Sequence, residues 1–170
     1  MAEAGQGLVG DRYQAGTGQW CYDRGLYDDV TLIATEALDA AGAEHGVHLQ
    51  GGSARRNLET RGVDLQALVG RTFQIGEVVL QGNRRCEPCR YLDRVTGQPA
   101  KTALAGRGGL RATVITGGQL GVGDSVLAQP ATGSAARTLL LAAAEPRREG
   151  VSGARSAARW WAAARLPARL

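Results

Sequence analysis

The chain has 170 residues, 44% apolar and 21% charged, enough for one domain with a real core and hardly two. It holds no apolar run of the roughly eighteen residues that a membrane span needs, and its start, MAEAGQGLVGDRY, lacks the basic and apolar regions of a secretory leader. The net charge of +4 is unevenly spread: from Gln129 on, seven arginines face Glu145 and Glu149 for a net +5, whereas residues 1–128 carry 13 basic and 14 acidic side chains.

A duplex-binding body needs its positive charge on the folded surface, so this distribution points away from nucleic acid. Three cysteines without an export signal point away from a disulfide framework. A cytoplasmic protein without a membrane span is expected.

Residues 1–128 read as one domain of short β-prone runs and glycine turns. DDVTLIA predicts a strand, and TEALDAAGAEHG a helix capped by Thr35 and ended by Gly46. RRNLETRGVDLQALVG predicts a strand, a turn at Gly62 and a short helical turn closed by Gly70. RTFQIGEVVLQGN gives two strands hinged at Gly76, with Phe73, Ile75, Val78 and Leu80 facing inward. Pro88 suits the first turn of a helix through CRYLDRVTG. GGLRATVITGGQLGVGDSVLA reads as two or three strands. The whole predicts a mainly β, barrel-like or sandwich fold with a few short helices, not a doubly wound sheet. Residues 129–170 are Ala/Arg-rich and read as a poorly ordered or helical tail, in which Pro167 interrupts a face shared by Arg155, Arg159, Arg165 and Arg169.

The chemistry-bearing stretch is RRCEPCRYLD. Cys86 and Cys89 have the spacing of half a zinc site, which His45 and His48 could complete. The same pair could be a redox couple, although a thioredoxin-like βαβ unit is not evident around it. A third possibility is one working thiolate, favoured by Arg84, Arg85 and Arg90. Such a sulfur suits a soft metal or a carried sulfane sulfur. An anionic ligand beside it would find guanidinium forks at Arg55, Arg56 and Arg61 near Asn57, and at Arg107 within the glycines of Gly106-Arg107-Gly108-Gly109. Trp20, Cys21 and Tyr22 read as packing or loop residues. Asp11-Arg12 and Gly123-Asp124 read as turns in which a carboxylate caps local amides. Paired carboxylates and a Gly-x-Ser-x-Gly elbow are missing.

The series GLVGDRY, DVTLIATEAL, RRNLETRGVDLQALVGRTFQIGEVVL, PCRYL and GRGGLRATVITGGQLGVGDSV resembles the MOSC domain, over residues 7 to 127. That domain ends molybdenum-cofactor sulfurases and also occurs as small free-standing bacterial proteins. The resemblance implies a strand-rich, barrel-like fold and a role in handling sulfur or the molybdenum cofactor. It matches Cys89 to the family's cysteine, as sulfur carrier or molybdenum ligand. It matches Arg55 and Asn57 to an Arg-x-Asn motif beside the cofactor in amidoxime-reducing relatives. Partners would be a small anionic cofactor or a sulfur donor protein, since no pyridoxal-phosphate domain is present to mobilise sulfur. The family has a strand ahead of the GLVGDRY segment, and the chain's first residues fall almost upon it. A non-catalytic fragment, and a structural zinc or thiol-redox module, remain as alternatives.

Overall fold

A computed structural model describes residues 1–18, 29–49 and 52–129. Trp20, Cys21, Tyr22 and the tail from residue 130 onward lie outside the described residues.

Eight strands and three short helices follow one another along these segments. A small hairpin, β1 (Ala2–Glu3) with β2 (Gly7–Leu8), opens the chain and is tied to the main body by mutual hydrogen bonds between Ala2 and Gly118. β1, which precedes the GLVGDRY segment, is two residues long. The main sheet has six strands in the order β4-β3-β7-β6-β5-β8 and curls into a half-barrel. Its strands are β3 (Val30–Ala34), β4 (Leu58–Thr60), β5 (Thr72–Ile75), β6 (Val78–Arg85), β7 (Leu110–Thr116) and β8 (Val126–Ala128). Only β3 and β4 run parallel, with helix α1 (Thr35–His45) as their crossover. The mainly β, barrel-like class expected from the residues is the class observed.

The alternation along β3 explains how one sheet serves two cores. Successive strand residues point to opposite faces. Leu32 packs with Phe73, Ile75, Leu80, Leu110 and Val114 inside the curl. Its neighbour Ile33 packs on the other side with Leu38, Ala41, Leu92, Ala103 and Leu104 from the helices. Phe73, Ile75, Val78 and Leu80, expected to face inward, are at most 1% exposed. Each such side chain contributes about 1.5–3 kcal/mol by leaving water.

Local details differ from expectation in three places. Ala34, not Thr35, occupies the N-cap of α1, and the Thr35 hydroxyl instead donates to the Thr60 carbonyl of the neighbouring strand. Gly46 does end the helix, in the left-handed conformation. Helix α2 (Arg90–Thr96) begins after Cys89, so Pro88 precedes the cap and is not in the first turn. The extra helix α3 (Ala100–Ala103) buries Ala100 and Ala103, small residues without a periodic pattern to announce them. No helix of the described residues is long and apolar enough to cross a membrane.

Candidate functional site

One end of the sheet gathers the start of β3, the approach to β4, the end of β6 and the start of β7. The register makes this unavoidable: Thr31 lies opposite Arg111, and Arg111 opposite Arg84. A cleft opens at this end, lined among others by Arg12, Tyr13, Arg55, Arg56, Cys89 and Arg111. Asp29, Thr31, Asn57, Cys86, Glu87, Tyr91 and Leu92 complete its wall.

The two cysteines have different environments. Cys89 is exposed, and its backbone caps α2 by accepting from the Leu92 amide at 2.9 Å. Cys86 is 1% exposed, and its amide donates to the Gly109 carbonyl at 2.8 Å. Both thiols are free, and no turn or bend draws residues 86–89 together. The Cys86 segment is instead pressed against β7. A Cβ on Gly108 would stand 2.4 Å from the Cys86 carbonyl oxygen, and one on Gly109 (φ 108°) would stand 1.9 Å from that of Leu32. Gly108 and Gly109 of the GRGG stretch thus serve close backbone approach.

The four-ligand zinc set is not brought together. His45 ends α1 beside Glu44, and the His48 amide donates to Gln98. Among the described residues no group of three or more His, Cys, Asp and Glu side chains is placed to hold a metal.

The arginines separate into three groups. Arg56 reaches the cleft wall, yet its guanidinium is spent on carbonyls: Gly108 at 2.9 Å, Cys86 at 3.1 Å and Ala54 at 3.3 Å. It clamps the cysteine segment to β7. Arg107 lies outside the cleft and forms a bidentate pair with Glu44 at 3.1 and 2.6 Å. That hydrogen bond, opposed by a little desolvation, holds the Glu44 carboxyl below its usual range and raises Arg107. Arg61 is exposed just beyond β4 and does not line the cleft, and neither do Arg84, Arg85 or Arg90. Arg85 donates to Gln66 on the 3-10 turn (Leu65–Leu68). Arg55 does line the cleft. It is exposed at φ 58°, the only described non-glycine residue with positive φ, in a turn closed by its amide on Gly52.

Asn57 spends most of its hydrogen-bonding capacity on protein. Its Oδ1 accepts from the Thr31 amide at 2.9 Å and hydroxyl at 2.8 Å, while Nδ2 donates to Asp11 Oδ1 at 3.1 Å. Asp11 Oδ2 accepts from the Tyr13 amide at 2.9 Å, the local capping role expected of it. Arg12 then lies with its guanidinium 5.1 Å from the centre of the Tyr13 ring. Tyr13, Tyr91 and Arg111 are among the cleft residues that the sequence did not single out. Arg12 stood in the GLVGDRY motif, but as a turn residue; only the fold carries it some seventy-five positions along the chain to Cys89.

Chemically, the cleft offers one accessible soft nucleophile among guanidinium groups, with aromatic and apolar surface beside it. Such a wall suits a small anion that bears an electrophilic sulfur or a soft metal.

Comparison with known proteins places the geometry in context. The family model described as the MOSC domain matches residues 24–127. Among solved structures, YiiM from Escherichia coli superposes with a TM-score of 0.58 at 17% identity, over 76% of this chain and 61% of its own. YiiM from Geobacillus stearothermophilus gives 0.56 at 17% identity, over 64% of this chain and 57% of its own. The chain thus spans less than two thirds of either protein's length, and at such identities the likeness is one of fold. No curated protein matches the chain.

Proposed function

The chain belongs to the MOSC domain family, and from that premise we propose that its cleft binds a small anion carrying sulfur or molybdenum, with Cys89 as the reacting thiolate. The observation that carries this reading is the exposed Cys89 in a cleft shared with Arg12 and Arg55. Neither of those guanidiniums has a carboxylate partner among the described residues.

The donor set fits the molybdenum cofactor that the family is linked to. A thiolate is a soft ligand, and forked guanidiniums match phosphate oxygens. Cys89 would hold the metal, and Arg12 and Arg55 the phosphate; when bound, the group supplies two-electron redox chemistry. The chain's own contribution is to present one sulfur and hold its segment still through Arg56 and the Gly109 carbonyl. For sulfur carriage the same Cys89 would receive a sulfane sulfur from a donor protein. Arg61 and Arg107, standing away from the cleft, have no place in this reading.

The test is to express the chain in molybdate-supplemented cells and assay molybdenum and sulfane sulfur on the purified protein. Loss of the bound element in Cys89→Ser, with retention in Cys86→Ala, is expected. Molybdenum and sulfane sulfur contents that do not depend on Cys89 would sink the proposal.

A further inference from the structure

Asn57 belongs to the motif that resemblance would set against the ligand, yet three of the four hydrogen-bonding positions of its amide go to protein. Both bonds that its Oδ1 accepts come from Thr31, and one N–H of Nδ2 goes to Asp11. What Asn57 does hold is the loop carrying Arg12. Through Asp11 it fixes the Tyr13 amide, and the Arg12 carbonyl accepts from both the amide and the hydroxyl of Thr17, at 2.8 and 3.2 Å. The Tyr13 ring packs closely on Gly18, where a Cβ would stand 2.4 Å from the ring carbons. Arg12 spreads its guanidinium over the same ring. The result is a cation placed in advance on an aromatic platform, half-buried, with no carboxylate partner among the described residues. A guanidinium with its rotamers already restricted loses little on meeting an anion.

We propose that Arg12 is the specificity-determining residue for the anionic part of the ligand, and that Asn57 is its positioning residue, acting through Asp11. The inference rests on the reading of the cleft as an anion site around Cys89 and names the wall that does the selecting. The ligand class it implies is a compact oxyanion, a phosphate or sulfur oxyanion group, whose two oxygens meet one guanidinium fork.

The test uses Cys89 itself as reporter, in the full chain. Alkylation by iodoacetate, an anion, is compared with alkylation by neutral iodoacetamide, with Cys89 read separately from the other cysteines by peptide mass spectrometry. The wild-type ratio of the two rates should exceed that of a small free thiol, and inorganic phosphate should suppress it. Arg12→Gln should lower the iodoacetate rate about tenfold and leave iodoacetamide nearly unchanged, whereas Arg12→Lys should keep part of the preference. Asn57→Asp keeps the acceptors for Thr31 but sets two carboxylates against each other, so it should behave like Arg12→Gln. Adding Asp11→Asn exchanges donor and acceptor and should restore the ratio.

A wild-type ratio no greater than that of a free thiol overturns the anion-site reading and this inference together. A preference that survives Arg12→Gln and vanishes in Arg55→Gln leaves the anion site standing and overturns the role of Arg12. A double variant that fails to recover what Asn57→Asp lost overturns the positioning role of Asn57.

Discussion

Arg56 Nη2 donates to the Cys86 carbonyl at 3.1 Å, and that bond connects the approach to β4 with the segment that presents Cys89. Nε of the same guanidinium reaches the Gly108 carbonyl at 2.9 Å, so one side chain joins three pieces of chain that meet at the end of the sheet. A planar group with five donors is suited to this, and a lysine at the same place would satisfy fewer acceptors.

Removing that clamp leaves buried carbonyls without partners. Arg56→Ala is expected to cost about 2–4 kcal/mol, because unsatisfied buried acceptors bear their full desolvation penalty. Arg56→Lys should recover less than half of it. Denaturant melts of the three proteins check both figures, and a loss below about 1 kcal/mol for alanine would mean that water replaces the guanidinium freely.

Gly109 should tolerate no side chain. Its φ of 108° is foreign to L-residues, and an added Cβ would overlap the Leu32 carbonyl in the neighbouring strand. Gly109→Ala is therefore predicted to destabilise by about 4 kcal/mol or to prevent folding, since backbone strain and a steric clash act together. Gly106 is a useful contrast: it also has positive φ, at 73°, but a Cβ there meets nothing within 4 Å. Gly106→Ala should cost about 1–2 kcal/mol, the left-handed penalty alone. Thermal melting of the pair measures the difference.

These glycines mark where the sequence was legible and where it was not. Strands β5, β6 and β7 could be read because each pairs β-branched or aromatic residues with period-2 burial, and Phe73, Ile75, Val78 and Leu80 did turn inward. Cys89 was set apart from Cys86 by the family resemblance, whereas the helix-start reading of Pro88 was off by one step, since Pro88 lies just before the cap. Guanidinium roles were not legible. An arginine reads the same whether it clamps carbonyls as Arg56 does, pairs with a carboxylate as Arg107 does, or lies over a ring as Arg12 does. Only the three-dimensional register decides which acceptors are within reach, and Glu44 is 63 residues from Arg107 in the chain.

The Glu44–Arg107 pair yields a pH prediction that should leave the cleft untouched. Arg107 lowers the Glu44 folded value below its ordinary one. A depressed carboxyl contributes stability above its unfolded value and loses it as pH falls through the folded value. The contribution therefore fades only in the acid range, and the pair is exposed and screened by salt, so it is small. In an NMR titration, Glu44 should titrate below an ordinary glutamate, and Arg107→Gln should move it back up. Cys89 alkylation should be the same in both proteins; a changed rate would show that Arg107 acts on the cleft after all.

The neighbours Arg55 and Arg56 should respond in opposite ways. Arg55 occupies the left-handed region, where a non-glycine residue bears about 1–2 kcal/mol of strain. A residue kept in that conformation while its exposed side chain lines the cleft is the pattern of strain held at a functional site. Arg55→Gly relieves the strain but gives the unfolded chain more freedom, which returns about 0.5–1 kcal/mol of the gain. The net expectation is a protein equal to wild type or up to about 1 kcal/mol more stable. Its Cys89 should nonetheless react several-fold more slowly with iodoacetate, because one of the two guanidiniums assigned to the anion is gone. Denaturant melts and the alkylation ratio, measured on the same sample, separate the two effects. A variant that lost stability would show that the Arg55 side chain supports the fold, and the assignment of Arg55 to anion capture would lose its structural argument.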